Sequence, residues 1–440
     1  VRAIRHARPT RPARRRSSEL AVAALLAFSR TRASQSLDRD IGVHILVLNE
    51  YFPPDTSATA KLAFDFLEPL SHHHRVTVLC GRPSYDPTER HPYYFWRREV
   101  RGNLVIERVG STAFPRFQMR GRISNYLSFL ALAIPRALAI RSDVVLALTD
   151  PPVMGIAASY VARLSGRPFV YSINDLYPDM AVGGKIVRPS RFIRLWERMH
   201  RKALRSAARV IVLGEDMRDR VLAKGVDPAR VSIVRHGAPL PEILPLPDDP
   251  IAREIRGDFR FVLVHAGNLG FYGAWRTMIR AARLFAPEGV GLVFIGEGAR
   301  KSEIEAEAAG CSAVRFMPYF PAQDISSVLA SGDMHIVTVK RGLEGVVVPS
   351  KLYPLLAAGR PILVIASPEA DAARIVRRAG CGLVADPDDP EALAEGVRGV
   401  LYQSELLREM SARARHAAIA YDKVKQIQAF ANVLEDLRKE

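Results

Sequence analysis

The chain has 440 residues, 48% of them hydrophobic, which suits two ordinary domains with buried cores. Its formal net charge is +17, so an anionic partner is expected: nucleic acid, anionic lipid or a phosphorylated substrate. Three widely spaced cysteines, Cys80, Cys311 and Cys381, argue against a disulfide framework or a zinc ribbon and for a reducing compartment.

Residues 1–40 are Arg-, Ala- and Ser-rich, with ten Arg against three acidic residues. Their one apolar run, 20–28, follows Arg14-Arg15-Arg16 and weakly mimics an export signal, but it is too short to span a bilayer. Residues 1–41 read as a disordered basic extension. From residue 42 strand and helix signals alternate. Strands are expected at 43–48, 76–80, 104–109, 144–148, 169–173, 210–213 and 231–234. Helices are expected at 58–70, 122–140, 153–164 and 215–224. Then comes PLPEILPLPDDP, whose prolines mark a stiff linker over 239–258. A second series has strands at 261–265, 292–295, 313–316, 334–339, 361–364 and 382–385. The expected architecture is α/β: two Rossmann-like doubly wound domains, 42–238 and 259–410, facing each other across a cleft. Ligands belong at the carboxyl ends of the strands. The segment 411–440 reads as a C-terminal helix packing back toward the first domain.

The densest chemical signal is KRGLEGVVVPSKLYPLLAAGRPILV at 340–364. Pro349–Ser350 predicts a helix start: Pro loses nothing in a first turn, and Ser accepts from free N–H groups. Lys351 then sits where partial positive charge gathers. Free backbone donors, a helix mouth and the cations Lys340, Arg341 and Lys351 suit a bound diphosphate. Glu344, beside Gly345, suits sugar-type hydroxyl groups. Two glycine turns follow strands: AGNLGFYG at 266–273, with Gly267, Asn268 and Gly270, and VFIGEGAR at 293–300, with Gly296 and Gly298. The first lets backbone approach an anion; the second lets a flat base approach. Neither is the dinucleotide fingerprint GxGxxG. In the first half, Asp55, Thr56 and Ser57 gather at a helix mouth, where simple capping is the plain alternative. SINDLYPD at 172–179 carries Asp175 off a strand end and into the expected cleft. No metal site is expected: three adjacent side chains, His72-His73-His74, cannot all face one ion, and no D-x-D arrangement follows a strand. A Walker-type phosphate loop and a G-x-S-x-G elbow are also absent.

These segments together resemble the family-4 retaining glycosyltransferases of GT-B fold, in the branch that builds bacterial O-antigen, capsule and colanic-acid-type polysaccharides. The likeness runs over nearly all of 43–435. It is carried by YFPPDTSATAK, LTDPPVMG, NDLYPD, AGNLG, IGEG, EGVVVPSKLYPLLAAGRPI and DPDDPEALAEGV in that order. The resemblance implies a nucleotide-sugar donor in the second domain, with no cofactor and no metal. Gly267–Gly270, Ser350 and Lys351 would face the diphosphate, and Gly296 and Gly298 would border the base. Glu344 and the following backbone, from Gly345, would hold the donor sugar. Asp175 and the 51–60 loop would approach from the acceptor side, making Asp175 and Glu344 the catalytic candidates. The chain also departs from the family pattern. Pro354 stands where a second Glu is common, Asn268 where an Arg is frequent, Tyr272 where a Lys is, and Asn174 where a His is. Lys340, Arg341 or Lys351 would supply the missing charge.

The expected activity is transfer of a sugar, with retention, to a lipid-linked saccharide acceptor at the inner face of the cell membrane. Without a well-placed nucleophile, retention implies same-face attack, with the leaving phosphate oxygen helping to deprotonate the acceptor. A sugar-nucleotide epimerase of the same fold is the alternative. A nucleic-acid-binding role is less favoured, because no helix-turn-helix or RNP-like signature accompanies the charge. An anionic membrane surface is the expected partner instead. In RPSRFIRLWERMHRKALRSAAR at 188–209, Phe192, Trp196, Met199, Ala203 and Ala207 share a helical face flanked by Arg and Lys.

Overall fold

The computed structural model describes residues 42–84, 91–114, 118–240 and 249–437. The basic extension 1–41 and residues 241–248 of the expected linker lie outside the described residues. The first sheet has eight strands: β1 (His44–Leu48), β2 (Arg75–Gly81), β3 (Trp96–Arg101), β4 (Leu104–Val109), β5 (Val144–Ala147), β6 (Phe169–Ser172), β7 (Arg209–Val212) and β8 (Val231–Ile233). Their order is β3-β4-β2-β1-β5-β6-β7-β8. The second sheet has β9 (Phe261–Ala266), β10 (Val290–Ile295), β11 (Val314–Met317), β12 (Met334–Thr338), β13 (Ile362–Ile365) and β14 (Gly382–Ala385), in the order β11-β10-β9-β12-β13-β14. Apart from β3, each is the doubly wound order that reverses beside its first strand. The switch points therefore lie between β1 and β5 and between β9 and β12.

Central strands are buried along nearly their whole length, as their Val-, Ile- and Leu-rich runs require. The unexpected strand is β3, WRREVR, which pairs antiparallel with β4 at the sheet edge. Charged side chains stabilise it across the pair: Arg108 Nε lies 3.2 Å from Glu99 and Arg98 Nε lies 3.9 Å from Glu107. An edge strand built on charge carries no apolar period by which to recognise it in the sequence.

The two halves share one core. Leu213 and Met217 of the first pack in the same apolar cluster as Leu343, Val346 and Ala372 of the second. The tail is not one helix, as expected over 411–437, but two: Ser404–Ala418 and Lys423–Asp436, divided by a 3-10 turn at Ile419–Tyr421. The second returns to the first half. Phe430 meets Phe66 at 5.5 Å between ring centroids, and Lys423 Nζ lies 3.3 Å from Asp65.

No helix among the described residues is long and apolar enough to cross a membrane. The helix Arg191–Ser206 divides its apolar residues differently from the expected face. Ala203 and Ala207 are buried, and Trp196 stacks on Tyr177. Phe192, Leu195 and Met199 are exposed at 70, 50 and 37%.

Candidate functional site between the two sheets

The two catalytic candidates come together on a third residue. Val347 forms isolated bridges with both Asp175 and Glu344, and Leu176 N–H donates to Val346 O at 2.9 Å. Asp175 follows β6, whereas Glu344 lies in the loop after β12, so the contact joins the carboxyl ends of both sheets. Burial pushes the Asp175 carboxyl up to about 7, and the neighbouring Asp150 carboxylate adds to the rise. Asp150, three residues past the end of β5 in LTDPPVMG, joins the sequence-predicted candidates as a further acidic group beside Asp175. An acidic residue just beyond a buried strand is the sequence signal for it.

Glu344 is held rather than free. Its Oε2 accepts from Gly342 N–H at 2.8 Å and its Oε1 from the Ser367 hydroxyl. Arg220, from the other half, donates to the carbonyls of Glu344 and Gly342. A carboxylate has about four acceptor positions, so capacity remains for a ligand. Gly345 has φ +66°, and a Cβ there would stand 2.4 Å from the Asp216 carbonyl. Any larger residue would pry the loop off the helix Glu215–Ala223.

The glycine turns meet each other. A Cβ on Gly296 would lie 2.1 Å from Gly267 O, and one on Gly298 2.4 Å from Leu269 O. Leu269 N–H donates to Glu297 O at 2.9 Å. Gly296 and Gly298 thus have a use already, in seating one loop on the other. Tyr272 donates to Asn268 O at 3.1 Å. Burial raises its hydroxyl pKa, with Tyr319 and then Asp175 adding to the effect, so this turn lies within electrostatic reach of Asp175.

The cations separate. Lys351 Nζ lies 3.0 Å from His265 Nε2, and also 3.0 Å from where a Cβ on Gly267 would sit. Burial drives its pKa down to about 7, and burial likewise keeps His265 neutral, able to accept from the ammonium. Lys340 has its pKa lowered by burial and then by Lys185 and Arg300, so three cations from both halves crowd together. Arg341 is committed elsewhere: it donates to Asp386 and Asp388 at 2.6 Å each. In the absence of a ligand its charge is thus shared with two carboxylates, unlike that of Lys351. The helix expected from Ser350 starts instead at Leu352, with Lys351 at the cap position and no side-chain cap bond. Ser350 lines a different groove of about 600 Å³ with Lys61, His236 and Lys423, facing the first half.

On the acceptor side, Ser57 accepts from Ala60 N–H at 3.1 Å and so caps the helix Ala58–Leu70. Asp55 is buried and accepts from Ser84 N–H at 2.9 Å. Arg108, also buried, gathers the carbonyls of Phe52 and Pro53. Of the three acceptor-side candidates only Thr56 is exposed. Among the described residues no cluster of three or more His, Cys, Asp or Glu is arranged to hold a metal ion.

Residues 65–237 match the family described as Glycosyl transferase 4-like domain, and residues 260–403 match Glycosyl transferases group 1. WbjE of Pseudomonas aeruginosa, named as a glycosyltransferase, is 29% identical over 63% of this chain and 71% of its own length. WcaI of Escherichia coli (strain K12), whose name assigns it to colanic acid biosynthesis, is 23% identical over 88% of this chain and 98% of its own. Among solved structures, Anabaena Alr3699/HepE in complex with UDP and glucose superposes with a TM-score of 0.65 at 16% identity, over 89% of this chain and 99% of that one. WaaG, a glycosyltransferase of lipopolysaccharide biosynthesis, gives 0.61 at 19% identity, over 89% and 99%. The fold is therefore GT-B, and the chain belongs to the glycosyltransferases that join a glycosyl transferase 4-like domain to a group 1 domain.

Proposed function

We propose that the chain is a retaining, metal-independent glycosyltransferase of bacterial surface-polysaccharide synthesis. It moves a sugar from a nucleotide-sugar donor to a lipid-linked saccharide, working in the cytoplasm at the inner membrane face. The observation that carries this reading is the joint pairing of Asp175 and Glu344 with Val347. It puts an acceptor-side carboxyl of near-neutral pKa beside the loop that suits the donor sugar. The names of WbjE, WcaI and WaaG support the polysaccharide setting, and the UDP and glucose held by HepE support the donor class. Gly267, Asn268, Gly270 and Lys351 face the diphosphate, with Lys340 adding charge. Gly296 and Gly298 border the base by shaping the turn. Glu344 and the Gly345 backbone hold sugar hydroxyls. Thr56 is the accessible acceptor contact; Asp55 and Ser57 shape its loop, and Ser350 lines the groove beside it.

A panel of nucleotide sugars tests the reading. One donor should raise the melting temperature. With a lipid-linked saccharide it should release nucleoside diphosphate in step with product of unchanged anomeric configuration, and a chelator should leave the rate unaltered. Interconversion of the donor sugar without that release would instead make the protein an isomerase.

Two expectations follow for the carboxylates. Glu344→Gln should lower kcat by more than it raises the donor KM, because bonds to the sugar tighten as it distorts. Equal kcat would reduce Glu344 to a loop residue. Asp175 accepts from the acceptor hydroxyl only when ionised. Acceptor kcat/KM should therefore rise with pH through about 7, the value to which burial lifts this carboxyl. Asp175→Asn should flatten that limb and lower the plateau at least tenfold; an unchanged limb would assign the titration to another group.

A further inference from the structure

A groove of about 470 Å³ opens between the helices Met154–Ser165 and Arg191–Ser206. Its floor includes Phe169, the first residue of β6, and Arg209, the first of β7; Arg230 stands just ahead of β8. It therefore lies at the amino ends of the strands, across the sheet from Asp175 and the catalytic cleft. No carboxylate lines it. Arg163, Lys202 and Arg230 reach it exposed, and the side chain of none of them forms an ion pair or a hydrogen bond among the described residues.

The neighbouring Arg167 shows what an arginine with a purely structural role looks like here. It donates to Ile140 O at 2.9 Å, Ala137 O at 3.2 Å and Ser142 Oγ at 2.6 Å. Arg163, in the last turn of its helix, is partly explained by the helix dipole. Arg230 likewise ends a short 3-10 turn, Pro228–Arg230, whereas Lys202 has no such account. The walls add a second character. Tyr160 and Met199 line the groove at 45 and 37% exposure, and Leu164, Leu195 and Phe192 continue the apolar surface along the same two helices. A free phosphate ion needs the cations but not the apolar skirt. An amphiphile uses both.

We propose that this groove is a second anion site, separate from the donor cleft, which takes the phosphate headgroup of an anionic membrane lipid. The lipid's glycerol and first acyl carbons lie over Tyr160 and Met199, and the exposed stripe Phe192–Leu195–Met199 enters the interface beside them. The inference rests on the membrane-surface reading above and gives it a specific site.

The test compares the full chain with its Arg163→Gln/Lys202→Gln/Arg230→Gln variant on vesicles of phosphatidylcholine with three-tenths phosphatidylglycerol. The basic extension is present in both proteins, so its attraction cancels in the comparison. The wild type should bind these vesicles and ignore pure phosphatidylcholine. Hydrogen exchange should slow over 159–169 and 199–209 on binding. The triple variant should bind at least tenfold more weakly and lose that protection, with its melting temperature unchanged. If the triple variant is unstable, Lys202→Glu serves alone, with at least a threefold loss. Equal binding and equal protection in the variants would overturn the groove while leaving surface association standing. A wild type that ignores the anionic vesicles would overturn surface association itself. Equal protection by inorganic phosphate without vesicles would overturn the lipid as the source.

Discussion

Lys351→Ala should cut turnover at least tenfold, equivalent to about 1.4 kcal/mol or more of lost transition-state stabilisation. The Lys351 side chain ends in a buried ammonium. It rests against the neutral imidazole of His265, under the turn at Gly267, with no carboxylate bonded to it among the described residues. A charge so placed is unsatisfied until an anion arrives. A leaving diphosphate is such an anion, and preorganised charge aimed at it is worth more in a dry site than in water. Burial alone lowers the Lys351 pKa to about 7, which adds a pH dependence. Below that value the free enzyme carries the ammonium; above it the amine is neutral, and donor binding must take up a proton. Donor affinity should therefore fall as pH rises from about 7, by up to tenfold per unit, while in Lys351→Ala it should be weaker and flat. Calorimetric titration with the donor in two buffers of different ionisation enthalpy would measure both the affinity and the proton uptake. Affinity that is constant from pH 6 to 9 in the wild type would detach Lys351 from the diphosphate and turn attention to Lys340, crowded by Lys185 and Arg300.

Much of this site is legible in the sequence because its loops follow strands of strong apolar period. Gly267 follows β9, Lys340 follows β12 and Asp175 follows β6, so each strand places its loop at the cleft edge. What escapes is pairing between distant segments. Nothing near Arg341 in sequence announces Asp386 and Asp388 as its partners. Nothing near Ser350 announces that it turns toward His236 while the adjacent Lys351 turns toward His265. Gly296 and Gly298 read as open approaches to a base, yet their missing side chains are first required by the Gly267 turn. Capping was easier to foresee. Ser57 caps its helix as its position suggests, because that bond spans three residues and needs no tertiary knowledge. The reciprocal fastening between the two halves had no local sign at all.

That fastening predicts a large loss of stability. Asp371→Ala should destabilise the fold by about 3–5 kcal/mol, the usual cost of removing one partner of a buried ion pair. Asp371 is 2% exposed. Its carboxylate accepts from Arg235 Nη2 at 2.8 Å and from Glu215 N–H at 2.9 Å. Its own N–H donates to Asp216 Oδ2 at 2.9 Å. Each half thus caps a helix of the other: Asp371 serves the helix Glu215–Ala223, and Asp216 serves the helix Asp371–Ala379. Truncating Asp371 leaves the Arg235 guanidinium buried without its partner and a helix donor unmet. The nearby pair Arg378–Glu215 has good geometry at 2.6 Å, but the Arg378 side chain is 66% exposed. Arg378→Ala should therefore shift the unfolding midpoint far less than Asp371→Ala, because solvent screens an exposed pair. Urea unfolding of the three proteins decides the matter, and similar midpoints for the two variants would mean that the buried pair does not fasten the halves. The same helix start holds the Glu344 loop, through the Gly345 N–H bond to Asp216 and the Arg220 bonds to the carbonyls of Glu344 and Gly342. Asp371→Ala should accordingly raise the donor KM at temperatures where the variant is still folded, whereas Arg378→Ala should not.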